Sequence, residues 1–169
     1  MKARNLLFIF LLPIILFNSC EDQKDPAESK ISGSITDISD CKNFKSGDLK
    51  FTEADTFSCI HYLYDEVNHK VIMTHINSGF NCCPGGLYCK VSTNNDTIII
   101  KEFENEQGCD CNCLFDLDIE LKGIDQNKYQ VRFVEPYAEG QEQLIFEMDL
   151  TSGNEGEYCV VRKGYPWGE

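Results

Sequence analysis

The chain has 169 residues, 42% of them hydrophobic, and 15 Lys and Arg against 28 Asp and Glu give a net charge of −13. That length holds one ordinary domain and little more. A surface this acidic repels phosphate backbones, so nucleic acid is excluded as an expected partner, and direct contact of the domain with anionic lipid is discouraged.

The first segment stands apart from the domain. Lys2 and Arg4 precede an apolar run from Leu6 to Phe17 broken only by Pro13, and Ser19 precedes Cys20. The run has the length of a signal-peptide core and is short for a membrane helix, so residues 1–19 read as a lipoprotein signal peptide, with a retained span as the alternative. Leu16-Phe17-Asn18-Ser19-Cys20 resembles a loose bacterial lipobox, with Asn18 larger than the usual residue. Cys20 is then the lipidation site, and the membrane is a partner through its acyl chains. Glu21, Asp22 and Asp25 resemble the surface-export signal of Bacteroidota lipoproteins. Loss of Lys2 and Arg4 leaves 13 basic against 28 acidic residues, a net charge of −15. Residues 20–30 read as the lipidated cysteine and an acidic, solvated tether, and residues 31–169 as a single domain.

From Ile31 onward the apolar residues alternate with a period of two, the signature of strands with one buried face. A first strand starts at Ile31, and a mixed stretch from Leu49 to Phe57 reads as strand plus turn. Cys59 to Ile76 reads as a hairpin turning at 65–69. Pro84-Gly85 suits the centre of a type II turn, which predicts that Cys89 returns beside Asn81 to Cys83. A strand over Thr97–Phe103 carries Ile98, Ile99 and Ile100. Cys109 to Leu121 alternates most strictly, with only Leu114 apolar among its even positions, so it reads as a central strand laying three cysteines on the core face. Strands also follow over Lys128–Val134, Leu144–Leu150 and Tyr158–Arg162. No helical period occurs, and turn signals recur about every ten residues. The expectation is an all-β, cysteine-rich antiparallel sandwich, immunoglobulin-like or transthyretin-like, of about seven to ten strands.

Ten cysteines include Cys20, which leaves Cys41, Cys59, Cys82, Cys83, Cys89, Cys109, Cys111, Cys113 and Cys159. An exported domain sits where disulfides persist, and an odd number leaves one thiol over. Alternate residues on a strand are about 6.6 Å apart, so Cys109 and Cys113 are about 13 Å apart. One zinc, with sulfurs at about 2.3 Å, cannot take all three. Bridges from this strand to Cys82, Cys83 and Cys89 meet the geometry, and Cys41 with Cys59 suits a further bridge. The metal alternative uses part of the cluster of Cys82, Cys83, Cys109, Cys111 and Cys113, with His75 or His61, where soft thiolates favour Zn or Cu. A thiol-redox protein is the second alternative, without a Cys-x-x-Cys motif to support it.

Other features have two readings each. Asp110, Asp116, Asp118 and Glu120 form either a Ca²⁺ face or a solvated one. Tyr165-Pro166-Trp167 forms either a sugar platform or a plug over one end of the sandwich. Asp96-Thr97-Ile98 resembles a short O-glycosylation motif. The usual hydrolase, metalloprotease and phosphate-loop motifs are absent, so the chain reads as non-enzymatic, without a cofactor and with a protein or glycan as ligand.

Together, His75-Ile-Asn-Ser-Gly-Phe-Asn-Cys-Cys83, Cys109-Asp-Cys-Asn-Cys-Leu-Phe-Asp-Leu117 and Tyr165-Pro-Trp167 resemble a family of small Bacteroidota lipoproteins without an assigned activity. That resemblance implies an envelope location, on the outer membrane facing the periplasm or the exterior, and a β-rich fold.

Overall fold

A computed structural model describes residues 31–42, 56–105 and 108–167. The expected signal peptide, the lipidation site at Cys20, the tether and most of the Leu49–Phe57 stretch lie outside the described residues.

Among the described residues nine strands follow in order: β1 (Ser32–Ile38), β2 (Phe57–Asp65), β3 (Lys70–Asn81), β4 (Leu87–Asn94), β5 (Thr97–Glu104), β6 (Asn112–Lys122), β7 (Lys128–Val134), β8 (Ile145–Asp149) and β9 (Glu155–Val161). They form a five-stranded sheet ordered β1-β6-β3-β2-β9 and a four-stranded sheet ordered β4-β5-β7-β8. All pairs are antiparallel except β5 with β7. The all-β sandwich read from the alternation is therefore the fold.

The alternation works because every second side chain enters one core between the sheets. On β6 these are Cys113, Phe115, Leu117, Ile119 and Leu121, packed against Ile98, Ile100, Val131, Phe133, Phe146 and Met148 from the other sheet. Leu114, the exception to the pattern, faces outward but is fully buried, because Trp167 and Ala138 cover it. Trp167 lies over Gly79, the β3 partner of Leu114, where an added Cβ would sit 2.7 Å from the indole. Its Nε1 donates to the Asn77 carbonyl at 2.6 Å. Of the two readings of the terminal aromatic segment, the plug is the one built, with Tyr165 left 56% exposed beside it.

Three local expectations are corrected. The strand carrying the Cys-x-Cys-x-Cys run begins only at Asn112, so Cys109 and Cys111 are exposed and Cys113 alone enters the core. Residues 82–86 do not fold back as a hairpin but carry the chain from one sheet to the other, and the glycine with positive φ is Gly86, not Gly85. Ile99 is only partly buried, since the middle of three consecutive strand residues must point outward.

β3 bulges between His75 and Ser78, advancing three residues while β6 passes from Leu117 to Phe115. Asn77 takes the left-handed conformation there (φ 61°), which asparagine tolerates better than most residues. The bulge is held from four sides. Asn77 N donates to Asp116 Oδ1 at 2.9 Å, its Nδ2 donates to the Phe57 carbonyl at 2.7 Å, its Oδ1 accepts from Lys42 Nζ at 2.6 Å, and its carbonyl accepts from Trp167. The extra residue sets both His75 and Ser78 facing inward.

Gly79→Ala places a methyl where the indole rests, and it is expected to destabilise the fold by about 1–3 kcal/mol. Denaturant melts read by the fluorescence of Trp167, the one tryptophan in the chain, check this; the native emission should move to the red as the ring is displaced.

Candidate functional site

Two groups of chemically capable side chains stand out, one sealed between the sheets and one at an exposed end.

The sealed group grows from the β3 bulge. His75 and Ser78 face Glu102, which follows Ile98 and Ile100 on the inward positions of β5. His75 Nδ1 lies 2.7 Å from Glu102 Oε1, and Ser78 Oγ donates to Glu102 Oε2 at 2.9 Å. On the other side of the ring, His75 Nε2 lies 2.9 Å from Ser58 Oγ of β2 and 3.7 Å from Glu135 Oε1. Arg162, just past β9, pairs with Glu135, donates to the Glu142 carbonyl and places its guanidinium 5.1 Å from the centre of the Trp167 ring. Glu135 Oε1 and Arg162 Nε have no hydrogen-bond partner.

Two carboxylates, one guanidinium and one imidazole make a neutral set when His75 is protonated. Burial alone pulls the imidazole pKa down, but the charge and hydrogen bond of Glu102, with the charge of Glu135, outweigh it, and His75 stands above its ordinary value. Burial pushes the Glu135 carboxyl up, opposed by His75 and Arg162.

Ser58, His75 and Glu102 are connected in the order of a hydrolytic triad: hydroxyl, imidazole, carboxylate. Ser58 and His75 have no exposed surface, and Glu102 is 2% exposed. The cluster links β2, β3 and β5 with the segments just past β7 and β9 across the sandwich, but among the described residues no surface opens onto the Ser58 hydroxyl.

The exposed group is the cysteine end. Cys82 pairs with Cys111 and Cys83 with Cys109, at Cα separations of 5.7 and 5.6 Å, within the range a disulfide spans. Cys41 pairs with Cys113 at 5.9 Å, and Cys59 with Cys159, its direct cross-strand neighbour, at 4.1 Å. Each cysteine of the Cys-x-Cys-x-Cys run thus has a different partner, as bridging geometry allowed. Two pairings differ from expectation. Cys41 meets Cys113 rather than Cys59, because residues 39–42 run along β6 through Ser39 to Asp116 and Lys42 to Leu114 backbone bonds. Cys89 is the odd thiol, because β4 carries it into the other sheet.

The sulfurs of Cys82, Cys109 and Cys111 lie within 4.8 Å of one another. His75 is not with them; both its ring nitrogens face Ser58 and the two carboxylates inside the sandwich. His61 is exposed on β2, 3.4 Å from Glu157, and His69 sits in the β2–β3 turn beside Asp125. The acidic row on β6 is largely occupied by its own neighbours: Asp116 by Lys42, Asp118 by Thr74, and Glu120 by Lys70 and Lys122. That is the solvated, internally paired face rather than a set of open oxygen ligands.

The sequence reading did not find Ser58, Glu102, Glu135 or Arg162. A usable signal exists for two of them: Glu102 continues the inward period of Ile98 and Ile100, and Arg162 that of Tyr158 and Val160. A charged residue at a core-facing position needs a buried partner.

Compared with models of protein families, with curated proteins and with solved structures, the chain matches none. What fold and site define is a class: a two-sheet β-sandwich with four cysteine pairs at disulfide distance and a charged cluster sealed in its core.

Arg162→Met leaves Glu135 buried without its cation and is expected to cost about 3–5 kcal/mol, measured by denaturant unfolding. The pH dependence has a defined sign. A folded-state imidazole pKa above the ordinary value of about 6.5 contributes stability that is complete below that value and is lost as pH rises through the folded-state one. Glu135, also raised, acts in the same sense at lower pH. Stability should therefore fall on the alkaline side, and Glu102→Gln should lower the His75 pKa in an NMR titration of its ring.

Proposed function

We propose that the chain is a lipid-anchored cell-envelope protein whose domain is a non-enzymatic, disulfide-stapled binding or structural module. The observation that supports this reading is the pairing of eight of the nine cysteines beyond Cys20 at bridging distance. The ninth, Cys89, is half-buried; burial first, and Glu102 second, push its thiol up to about 11. A thiol that stays protonated at neutral pH is a weak nucleophile and a weak ligand. Cysteine chemistry in the domain is thus taken up by cross-links, which persist in a non-reducing compartment. That accords with export through residues 1–19, attachment at Cys20 and the resemblance to small Bacteroidota lipoproteins. The burial of Ser58 in the triad-like set supports the non-enzymatic reading.

A second reading has its own observation. The clustered sulfurs of Cys82, Cys109 and Cys111, with Cys83 adjacent, offer a soft thiolate set for Zn or Cu(I) if these bridges are open. The thiol-redox reading concerns the same two bridges, which stand at the exposed end.

Intact mass after alkylation separates these readings. For the exported chain carrying Cys20→Ser, one thiol, Cys89, should be alkylated in denaturant without reduction, all nine after reduction, with no metal in elemental analysis. Four further reactive thiols with stoichiometric zinc or copper would replace the first reading by the second. Bridges that equilibrate with mild thiol buffers would favour the redox protein.

A further inference from the structure

Among the described residues, Lys42, Lys70, Lys122, Lys128 and Arg162 are all ion-paired. Lys90, Lys101, Arg132 and Lys163 are not, and the first three share the outer face of the four-stranded sheet. Lys90 and Lys101 are directly opposed across β4 and β5. Arg132 stands on β7 opposite Ile99, one strand over and two residues along from Lys101. Strand geometry puts the three Cα atoms about 5 and about 8 Å apart in succession. Like charges directly opposed in a sheet are unfavourable. Among the described residues, no carboxylate lies within ion-pair distance of any of the three; Glu147 and Asp149 on the same sheet are held by Lys128.

An aromatic pair completes this face. Tyr88 and Phe103 stack with ring centres 5.2 Å apart and planes 10° from parallel. Lys101 Nζ and Lys90 Nζ lie 4.9 and 5.4 Å from the centre of the Phe103 ring. Tyr88 is 40% exposed, and Ile145, opposite Arg132, is 38% exposed. The face thus offers flat apolar surface interleaved with three unneutralised cations.

We propose that the outer face of the four-stranded sheet, through Tyr88, Lys90, Lys101, Phe103 and Arg132, is a binding surface for a carboxylated polysaccharide. It rests on the reading of the domain as a binding module and names the ligand class of that module. A uronate polymer carries one carboxylate per ring and an apolar C–H face on each sugar. The carboxylates meet the cations, and the sugar faces lie on Tyr88 and Ile145. A nucleic acid, with a charge every ~1.7 Å along its axis, brings far more negative charge than three cations neutralise, and the excess faces an acidic molecule. An anionic bilayer likewise presents a plane of charge to the acidic flanks of this face.

The test uses the full exported chain and polygalacturonate as the probe, with neutral dextran as control, in affinity electrophoresis and calorimetry. Polygalacturonate should bind at low salt and weaken as salt rises, and dextran should not bind. Lys90→Gln with Lys101→Gln should weaken binding by about tenfold or more, Arg132→Gln should weaken it less, and Lys122→Gln, on the other sheet, should leave it unchanged. The count of thiols alkylated without prior reduction certifies the fold of each variant; if the double variant misfolds, Arg132→Gln and Tyr88→Ala singly carry the test. Absence of polygalacturonate binding, or binding that the face variants do not alter, overturns the proposal. So does retention of duplex DNA or anionic phosphatidylglycerol vesicles where polygalacturonate is ignored. The thiol count is independent of these measurements, so failure of the surface and failure of the stapled-module reading are told apart.

Discussion

The Glu102 carboxylate, held by His75 on one oxygen and Ser78 on the other, is the contact that orients one sheet on the other. Apolar packing drives the two faces together but is non-directional, and many offsets of two alternating faces bury similar area. A charge taken out of water tolerates only the offset at which its partners are in place. That single demand reaches far along the chain. It requires the β3 bulge, which sets His75 and Ser78 inward together. The bulge requires Asn77 in a left-handed conformation, and that residue is held by Asp116, Lys42, Phe57 and the Trp167 indole. Hence the chain's last aromatic residue and the segment before Cys41's neighbour Lys42 are both arranged around a carboxylate in the middle of the sandwich.

The bridges act elsewhere and by another mechanism. Three of them meet the first residues of β6 and the stretch just before it, where the β3–β6 ladder ends and backbone pairing can no longer hold the chain. The fourth ties β2 to the edge strand β9. A disulfide stabilises chiefly by limiting the unfolded chain, whereas the charged cluster constrains only the folded one. The two devices therefore do not substitute for each other: bridges secure the ends and an edge, and the cluster selects the packing in between.

The period-two alternation made the sandwich legible, since it is a direct consequence of one buried face per strand; the strand runs around Tyr129, Phe146 and Leu117 fall where the pattern put them. It failed where a side chain's face is decided by something other than the strand. Leu114 breaks the pattern because a distant tryptophan covers it. Cys109 and Cys111 keep the pattern without being in the strand, because bridging to Cys83 and Cys82 holds them outside the sheet. The partner of Cys41 depends on a pairing 72 residues away in sequence, which spacing alone does not encode. The sealed cluster was hidden for a different reason: its members come from strands far apart in sequence, and only Glu102, whose position after two core isoleucines required a buried cation or donor, and Arg162 carry a local sign of it.

Net charge is a property of the whole molecule, and contact is made by one face. On the five-stranded sheet, Lys42, Lys70 and Lys122 are each matched to a carboxylate, so that face presents the acidic excess of the chain. On the four-stranded sheet the balance reverses locally, because the acids near it are held by Lys128 and three cations remain over an aromatic ring. At a screening length of about 8 Å, a ligand confined to that face responds to those cations more than to charges across the sandwich, whereas a long, dense polyanion cannot stay confined to it. The composition therefore argues against phosphate backbones and, for the same reason, not against a sparsely charged polymer: the acidic remainder of the surface limits how much negative charge a ligand can bring, and the cationic face determines where it can be placed.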